Sequence, residues 1–140
     1  LIGHICRQFK ACLARIEVLR TRKARYIRRL ALVSHQIAEA IRIIREMLAH
    51  PELKPSLLAE QVGLDLPRFS RAFKQVTGIT CTDYIALERM RVAKRLLTKD
   101  DLLIKEIAYR VGFESANYFT RKFRAIEGRT PSSYRRLNHG

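Results

Sequence analysis

Residues 58–80 read LAEQVGLDLPRFSRAFKQVTGIT, and residues 107–130 read IAYRVGFESANYFTRKFRAIEGRT. Laid over one another, they are two versions of one unit. Ala59-x-x-Val62-Gly63 matches Ala108-x-x-Val111-Gly112 at an offset of 49, and Phe69, Arg71, Phe73 and Gly78 match Phe119, Arg121, Phe123 and Gly128 at an offset of 50. The second version therefore has one more residue between its glycine turn and its phenylalanine pair. Each reads as helix, glycine turn, helix, the helix-turn-helix pattern. The glycine after valine supplies the positive φ that a helix end often needs. The small alanine and the glycine let two helices approach closely, and the two phenylalanines, four apart, pin the second helix by one face.

The other face of each second helix carries donors. In the first unit these are Arg68, Ser70, Arg71 and Lys74; in the second they are Asn117, Tyr118, Thr120, Arg121 and Lys122. Arginine can pair with both acceptors of guanine, asparagine with both groups of adenine, and threonine can hydrogen-bond a base or touch a thymine methyl. Lysines and helix N-termini suit phosphates. One such helix would read as an ordinary solvated face. Two of them on a strongly basic chain point to DNA.

The basic excess is large and uneven. The 140 residues carry 28 Lys and Arg against 13 Asp and Glu, a formal charge of +15. Residues 1–35 hold nine basic and one acidic residue, 36–90 hold seven of each, and 91–140 hold twelve basic and five acidic. Two basic foci suit a polyanion, nucleic acid before an anionic membrane surface. An apolar fraction of 47% allows a packed core. No apolar run approaches the ~20 residues of a membrane span. Cys6, Cys12 and Cys81 are an odd number without a CxxC pair, which fits a reducing compartment. His4, His35, His50 and His139 have no metal-ligand spacing, so neither metal nor cofactor is expected. No nucleophile–base set or phosphate loop argues for an enzyme. Cys81, beside a capping threonine and without a local basic partner, reads as structural.

Outward from the repeat, the local signals predict an all-α chain. From Ile5 to His50 there is no Gly or Pro, and apolar residues recur at spacings of three and four: Phe9, Cys12, Ile16, Leu19, Tyr26, Leu30, Val33, Ile37, Ala40, Ile44 and Met47, with Lys23 the one break. This predicts a long basic helix, or two helices broken near Ser34. With Phe9 at a heptad a position, Arg15 and Arg20 would oppose each other in a parallel homodimer, and Arg22 and Arg29 also fall at g, so self-pairing is disfavoured. Docking on another domain is the competing use. The Arg-rich start also resembles a transit peptide, against which the helical pattern continues through residue 48.

Ser56 is expected to cap a helix to Val62 with Leu58, Ala59 and Val62 inward, and Asp65 one to about Val76 that Gly78 closes. Thr80-x-x-Asp83 reads as a capping box opening a helix through Leu97, with Tyr84, Ile85, Leu87, Met90, Ala93, Leu96 and Leu97 apolar. A short helix spans about Ile104–Val111, Glu114 or Ser115 caps the next, and Thr130-Pro131 starts a last one through Arg136. The stretch from Tyr84 to Leu97 is roughly 21 Å at 1.5 Å per residue. As a strut it could hold two reading helices about one DNA turn apart, ~34 Å, on one face. One chain could then read an asymmetric site.

From about Ile37 to Arg136 the chain resembles the DNA-binding domain of AraC-type (AraC/XylS) transcriptional regulators. IKEIAYRVGFESANYFTRKFRAIEGRTPSSYRR is similar to that family's second helix-turn-helix and C-terminal signature, and SLLAEQVGLDLPRFSRAFKQVTG to its first. The resemblance implies seven helices, with two helix-turn-helix units joined by a long helix. It also implies regulation of bacterial transcription in the cytoplasm, activation ahead of repression, and a contact with RNA polymerase. Base-reading positions carried over by it are Pro67, Arg68, Ser70 and Arg71 in the first unit and Ala116, Asn117, Thr120 and Arg121 in the second. Pro67 and Ala116 cannot hydrogen-bond a base, so contacts there are expected to be apolar. Lys74, Ser115, Tyr118 and Lys122 complete the candidate DNA-binding set. Residues 36–140 are expected to form the double helix-turn-helix domain. Residues 1–35 lie outside the resemblance and read as a helical linker or the end of a missing effector, dimerisation or receiver domain. The competing function is a basic amphipathic module for a membrane surface or a protein partner.

Overall fold

The computed structural model describes residues 2–99 and 101–138, without the side chains of residues 2 and 4–6. The expectations on His4, Cys6 and His139 lie outside the described residues. Among the described residues there are seven helices and no strand: α1 (Ile2–Glu46), α2 (Pro55–Val62), α3 (Leu66–Thr77), α4 (Cys81–Lys99), α5 (Ile104–Arg110), α6 (Ala116–Glu127) and α7 (Pro131–Asn138). The chain divides into two compact units, Leu1–Gln36 and Ile37–Gly140.

The first unit is helix alone, and α1 stays helical through Ser34, so the alternative of a break there is not realised. Serine in a helix interior has only a weak preference against it, and neither Gly nor Pro is present to stop the run. The apolar positions from Phe9 to Leu30 are exposed, whereas Ile37, Ala40 and Ile44, in the second unit, are fully buried.

In the second unit α2 packs on α3, α3 on α4, α4 on α5 and α7, α5 on α6, and α6 on α7. Two helix-turn-helix pairs, α2–α3 and α5–α6, are thus joined by α4. At 19 residues α4 is longer than the sequence reading, about 28 Å at 1.5 Å per residue. Its core face is Cys81, Ile85, Ala86, Arg89, Met90, Ala93 and Leu97. Leu87, expected on that face, is 45% exposed, because it lies about 200° around the helix from Ile85. The first helix of the repeat starts two residues earlier than expected, so Ser56 lies inside it and is not its cap. Lys54 is its N-cap, with no side-chain cap bond, and Pro55 occupies the first turn, where a missing N–H loses nothing. The α5 helix ends at Arg110 and α7 runs on to Asn138.

The caps of α3 and α6 are as the sequence predicts. Asp65 Oδ1 accepts from the Arg68 N–H at 3.0 Å, and Ser115 Oγ accepts from the Tyr118 N–H at 3.3 Å. Gly78 and Gly128 close α3 and α6 with φ of 85° and 74°. The repeat also extends further than residues 80 and 130. Thr80 Oγ1 accepts from the Asp83 N–H and Thr130 Oγ1 from the Ser133 N–H, each at 3.2 Å. Phe73 meets Tyr84 edge-on at 5.4 Å and Phe123 meets Tyr134 edge-on at 5.6 Å, both at 78°. Each unit therefore ends by nailing its second helix to the start of the next helix.

The two turn glycines do different work. Gly63 has φ of 75° and free space where a Cβ would stand. Gly112 has φ of 104°, and a Cβ there would lie 2.6 Å from the Leu48 carbonyl oxygen and 2.9 Å from Arg89 Nε. The close approach expected of both glycines thus exists only at Gly112, and it is to the end of the α1 segment rather than between the paired helices.

Candidate nucleic-acid interface

Phe69, Ala72 and Phe73 bury one side of α3, and Phe119 and Phe123 bury one side of α6. That orientation leaves Pro67, Arg68, Ser70, Arg71 and Lys74 exposed on α3, and Asn117, Tyr118 and Arg121 exposed on α6. Ala116, Thr120 and Lys122 are half-buried, and Ser115 is exposed but holds the cap. Arg68 turns back on its own cap, with Nε 3.3 Å from Asp65 Oδ2. An exposed pair of this kind is worth ~0–1 kcal/mol, so it parks the guanidinium without locking it. Tyr118 packs its ring on Phe113 at 5.7 Å.

Two neighbouring depressions collect these side chains. Ser70, Arg71 and Lys74 line one, together with Pro55, Thr80, Cys81 and Thr82. Tyr118 and Lys122 line the other, with Lys54, Pro55, Thr82, Arg89 and Phe113 among their neighbours. Pro55 and Thr82 belong to both, so the flank of α3 and the flank of α6 border one strip of surface at the start of α2 and α4. Neither lining includes an acidic residue. Pro67, Arg68, Asn117, Thr120 and Arg121 line neither depression.

Lys54, Thr82 and Arg89 join this surface without belonging to the set expected from the sequence. Arg89 is only 9% exposed, and its guanidinium donates to the Leu48 and His50 carbonyls at 3.0 Å each and lies over the Phe113 ring at 5.6 Å. Burial pushes this guanidinium below its ordinary pKa, with Tyr118 opposing the shift. A signal for it was present: Arg89 sits four residues after Ile85 and four before Ala93, in the middle of the apolar stripe of α4. Arg135 plays a parallel part on α7, donating to the Leu97 and Leu102 carbonyls at 3.4 and 2.6 Å. Lys94 on α4 pairs with Glu127 on α6 at 2.9 Å, bracing α6 against α4.

Cys12 and Cys81 are free, the former exposed and the latter buried. Burial pushes the Cys81 thiol up to about 12, leaving it protonated and unreactive at neutral pH. Iodoacetamide at pH 8 is therefore expected to leave Cys81 unmodified in the native chain and to alkylate it in denaturant, as read by peptide mass spectrometry. Rapid native labelling of Cys81 would contradict its packing. Among the described residues no group of three or more His, Cys, Asp and Glu could hold a metal ion, and no helix is long and apolar enough to cross a membrane.

The chain matches a family model described as a helix-turn-helix domain over residues 58–137. It is similar to an uncharacterized HTH-type transcriptional regulator, YijO of Escherichia coli K12, at 34% identity over 106 residues, covering 76% of this chain and 38% of that protein. The arabinose operon regulatory protein of the same organism is 30% identical over 103 residues, covering 74% of this chain and 35% of that protein. The chain thus spans little more than a third of the length of these relatives. Among solved structures, the DNA-binding domain of AdpA, a global transcriptional factor in complex with a target DNA, superposes with a TM-score of 0.69 at 29% identity, covering 72% of this chain and 90% of that one.

Proposed function

The chain belongs to the AraC/XylS family of helix-turn-helix regulators, and on that premise we propose that it is a sequence-specific DNA-binding transcriptional regulator whose α3 and α6 enter successive major-groove segments of one duplex. The observation that carries the reading is the common strip at Pro55 and Thr82, which puts the donor-bearing flanks of α3 and α6 beside each other with no acid lining either depression. A duplex laid over that strip meets one reading helix, then the intervening backbone, then the other. The AdpA domain, solved with its target DNA, supports the same reading.

In this reading Arg68, Ser70 and Arg71 contact bases from α3, and Asn117, Thr120 and Arg121 from α6. Pro67 and Ala116 offer apolar contacts. Lys74, Lys122 and Tyr118 serve the backbone, and Ser115 sets the entry angle of α6 through its cap. Residues 36–140 form the reading domain, and residues 1–35 form the connection to an effector or receiver domain. The regulator acts in the bacterial cytoplasm without catalytic activity, activates rather than represses, and meets RNA polymerase at the promoter.

Selection of bound sequences from a random DNA pool, followed by footprinting, tests the reading. The expected result is an asymmetric site with two protected major-groove segments about one turn apart, ~34 Å. Binding that is blind to sequence and lost uniformly with salt would overturn it. On the selected site, Arg121→Ala is expected to weaken binding by ~1–3 kcal/mol and relax preference at one base position of one segment. Equal weakening on every sequence would remove Arg121 from base reading.

A further inference from the structure

The DNA reading leaves unused the apolar seam along residues 9–33 of α1. Phe9, Ile16 and Leu30 at the a positions and Leu19 and Tyr26 at the d positions are 49–65% exposed. Leu13 and Ile27, at e, widen the seam and are as bare. The opposite border is a ladder of exposed arginines at g, Arg15, Arg22 and Arg29, seven residues apart. Arg15 and Arg22 also line a groove with Leu19 of the seam and with Ala14 and Val18, which stand at f and c on the outer side of the ladder. Covering the seam removes exposed apolar side chains from water, which is favourable.

Charge decides what can cover it. A parallel second copy would set Arg15 of one chain against Arg20 of the other. An antiparallel copy centred on Arg22 would set Arg22 against itself and Arg15 against Arg29. Both arrangements oppose guanidinium to guanidinium, and Glu17 is the single acid among residues 1–36. Lys23 further burdens any self-made core at an a position. An anionic membrane would accept basic and apolar faces without requiring a seven-residue register, whereas a ladder kept in heptad register is what an opposing helix reads.

We propose that residues 9–33 are a docking seam for an acidic amphipathic helix of a separate protein, one that carries Asp or Glu every seventh residue beside its own apolar stripe. The inference is independent of the DNA reading. The test uses the full chain without DNA, and as probe a synthetic four-heptad peptide with Leu at its core positions and Glu at both flanks. The control peptide carries Lys in place of Glu. The expected result is one-to-one binding of the Glu peptide, weakened by salt, with no binding of the Lys peptide at the same concentration. The triple variant Arg15→Glu, Arg22→Glu, Arg29→Glu should bind the Glu peptide at least tenfold more weakly and acquire the Lys peptide, with its circular dichroism unchanged. Equal binding of both peptides, binding of neither, or a triple variant with unaltered preference would overturn the proposal. So would sedimentation as a dimer that persists in the triple variant, which makes a second copy the occupant. Capture by phosphatidylserine vesicles that the Glu peptide cannot compete away would do the same in favour of a membrane.

Discussion

Gly112→Ala is expected to destabilise the second unit by about 3 kcal/mol or more, and Gly63→Ala, its counterpart in the repeat, by only about 1–2 kcal/mol. Both glycines hold positive φ, so both substitutions strain the backbone. Only at Gly112 does the added methyl also meet atoms that cannot yield cheaply. The Leu48 carbonyl oxygen would be 2.6 Å away and Arg89 Nε 2.9 Å away. Relief requires the end of the α1 segment to move off the second turn, which breaks the Arg89 bond to Leu48 at 3.0 Å. For a domain of this size the difference should appear as a melting temperature lowered by roughly 12 °C or more for Gly112→Ala, against about 4–8 °C for Gly63→Ala. Equal melting temperatures for the two variants would show that the close approach to Leu48 carries no energy.

Arg89→Met should follow close behind, with a loss of about 2–3 kcal/mol in denaturant unfolding. Methionine keeps the length and much of the packing against Phe113 but donates nothing. The carbonyls of Leu48 and His50 then lose a charged donor in a partly buried place. The loss is bounded from above because burial already disfavours the charged guanidinium, and the apolar replacement removes that penalty. Arg89→Lys should recover less than half of the loss, since a single ammonium cannot span both carbonyls in the fork geometry of arginine. Amide exchange at residues 47–54 is the local readout. An Arg89→Met chain with wild-type stability would mean that solvent replaces the clamp without cost.

The two substitutions mark where legibility in the sequence ends. The second helix of each unit could be placed to within a residue, and so could its capping side chain and the residues it exposes. Asp65 and Ser115 cap donors three residues ahead, Gly78 and Gly128 close helices within one turn, and Phe69/Phe73 and Phe119/Phe123 share a face by helical spacing alone. Arg89 was legible only as a charge set in the apolar stripe of α4; its acceptors were not, because charge argues for solvent unless a distant carbonyl is known to meet it. Nor was the pairing of Tyr84 with Phe73 and Tyr134 with Phe123, although both tyrosines lie at the repeat offset. Lys54 and Thr82 carried no pattern at all, and they join the site only because α2 and α4 begin side by side.

Sequence by itself determined the all-α class, the duplicated helix-turn-helix, the basic character and the outward faces of α3 and α6. Each of these follows from interactions that close within a few residues, namely caps, turns and helical periodicity. Tertiary structure decided which turn glycine must stay a glycine, which arginine is an internal clamp rather than a surface residue, and that the flanks of α3 and α6 border one strip. Those outcomes depend on contacts such as Arg89 to Leu48, 41 residues apart. A polar group's partner at that distance is set by how the helices pack, and no local preference along the chain encodes it.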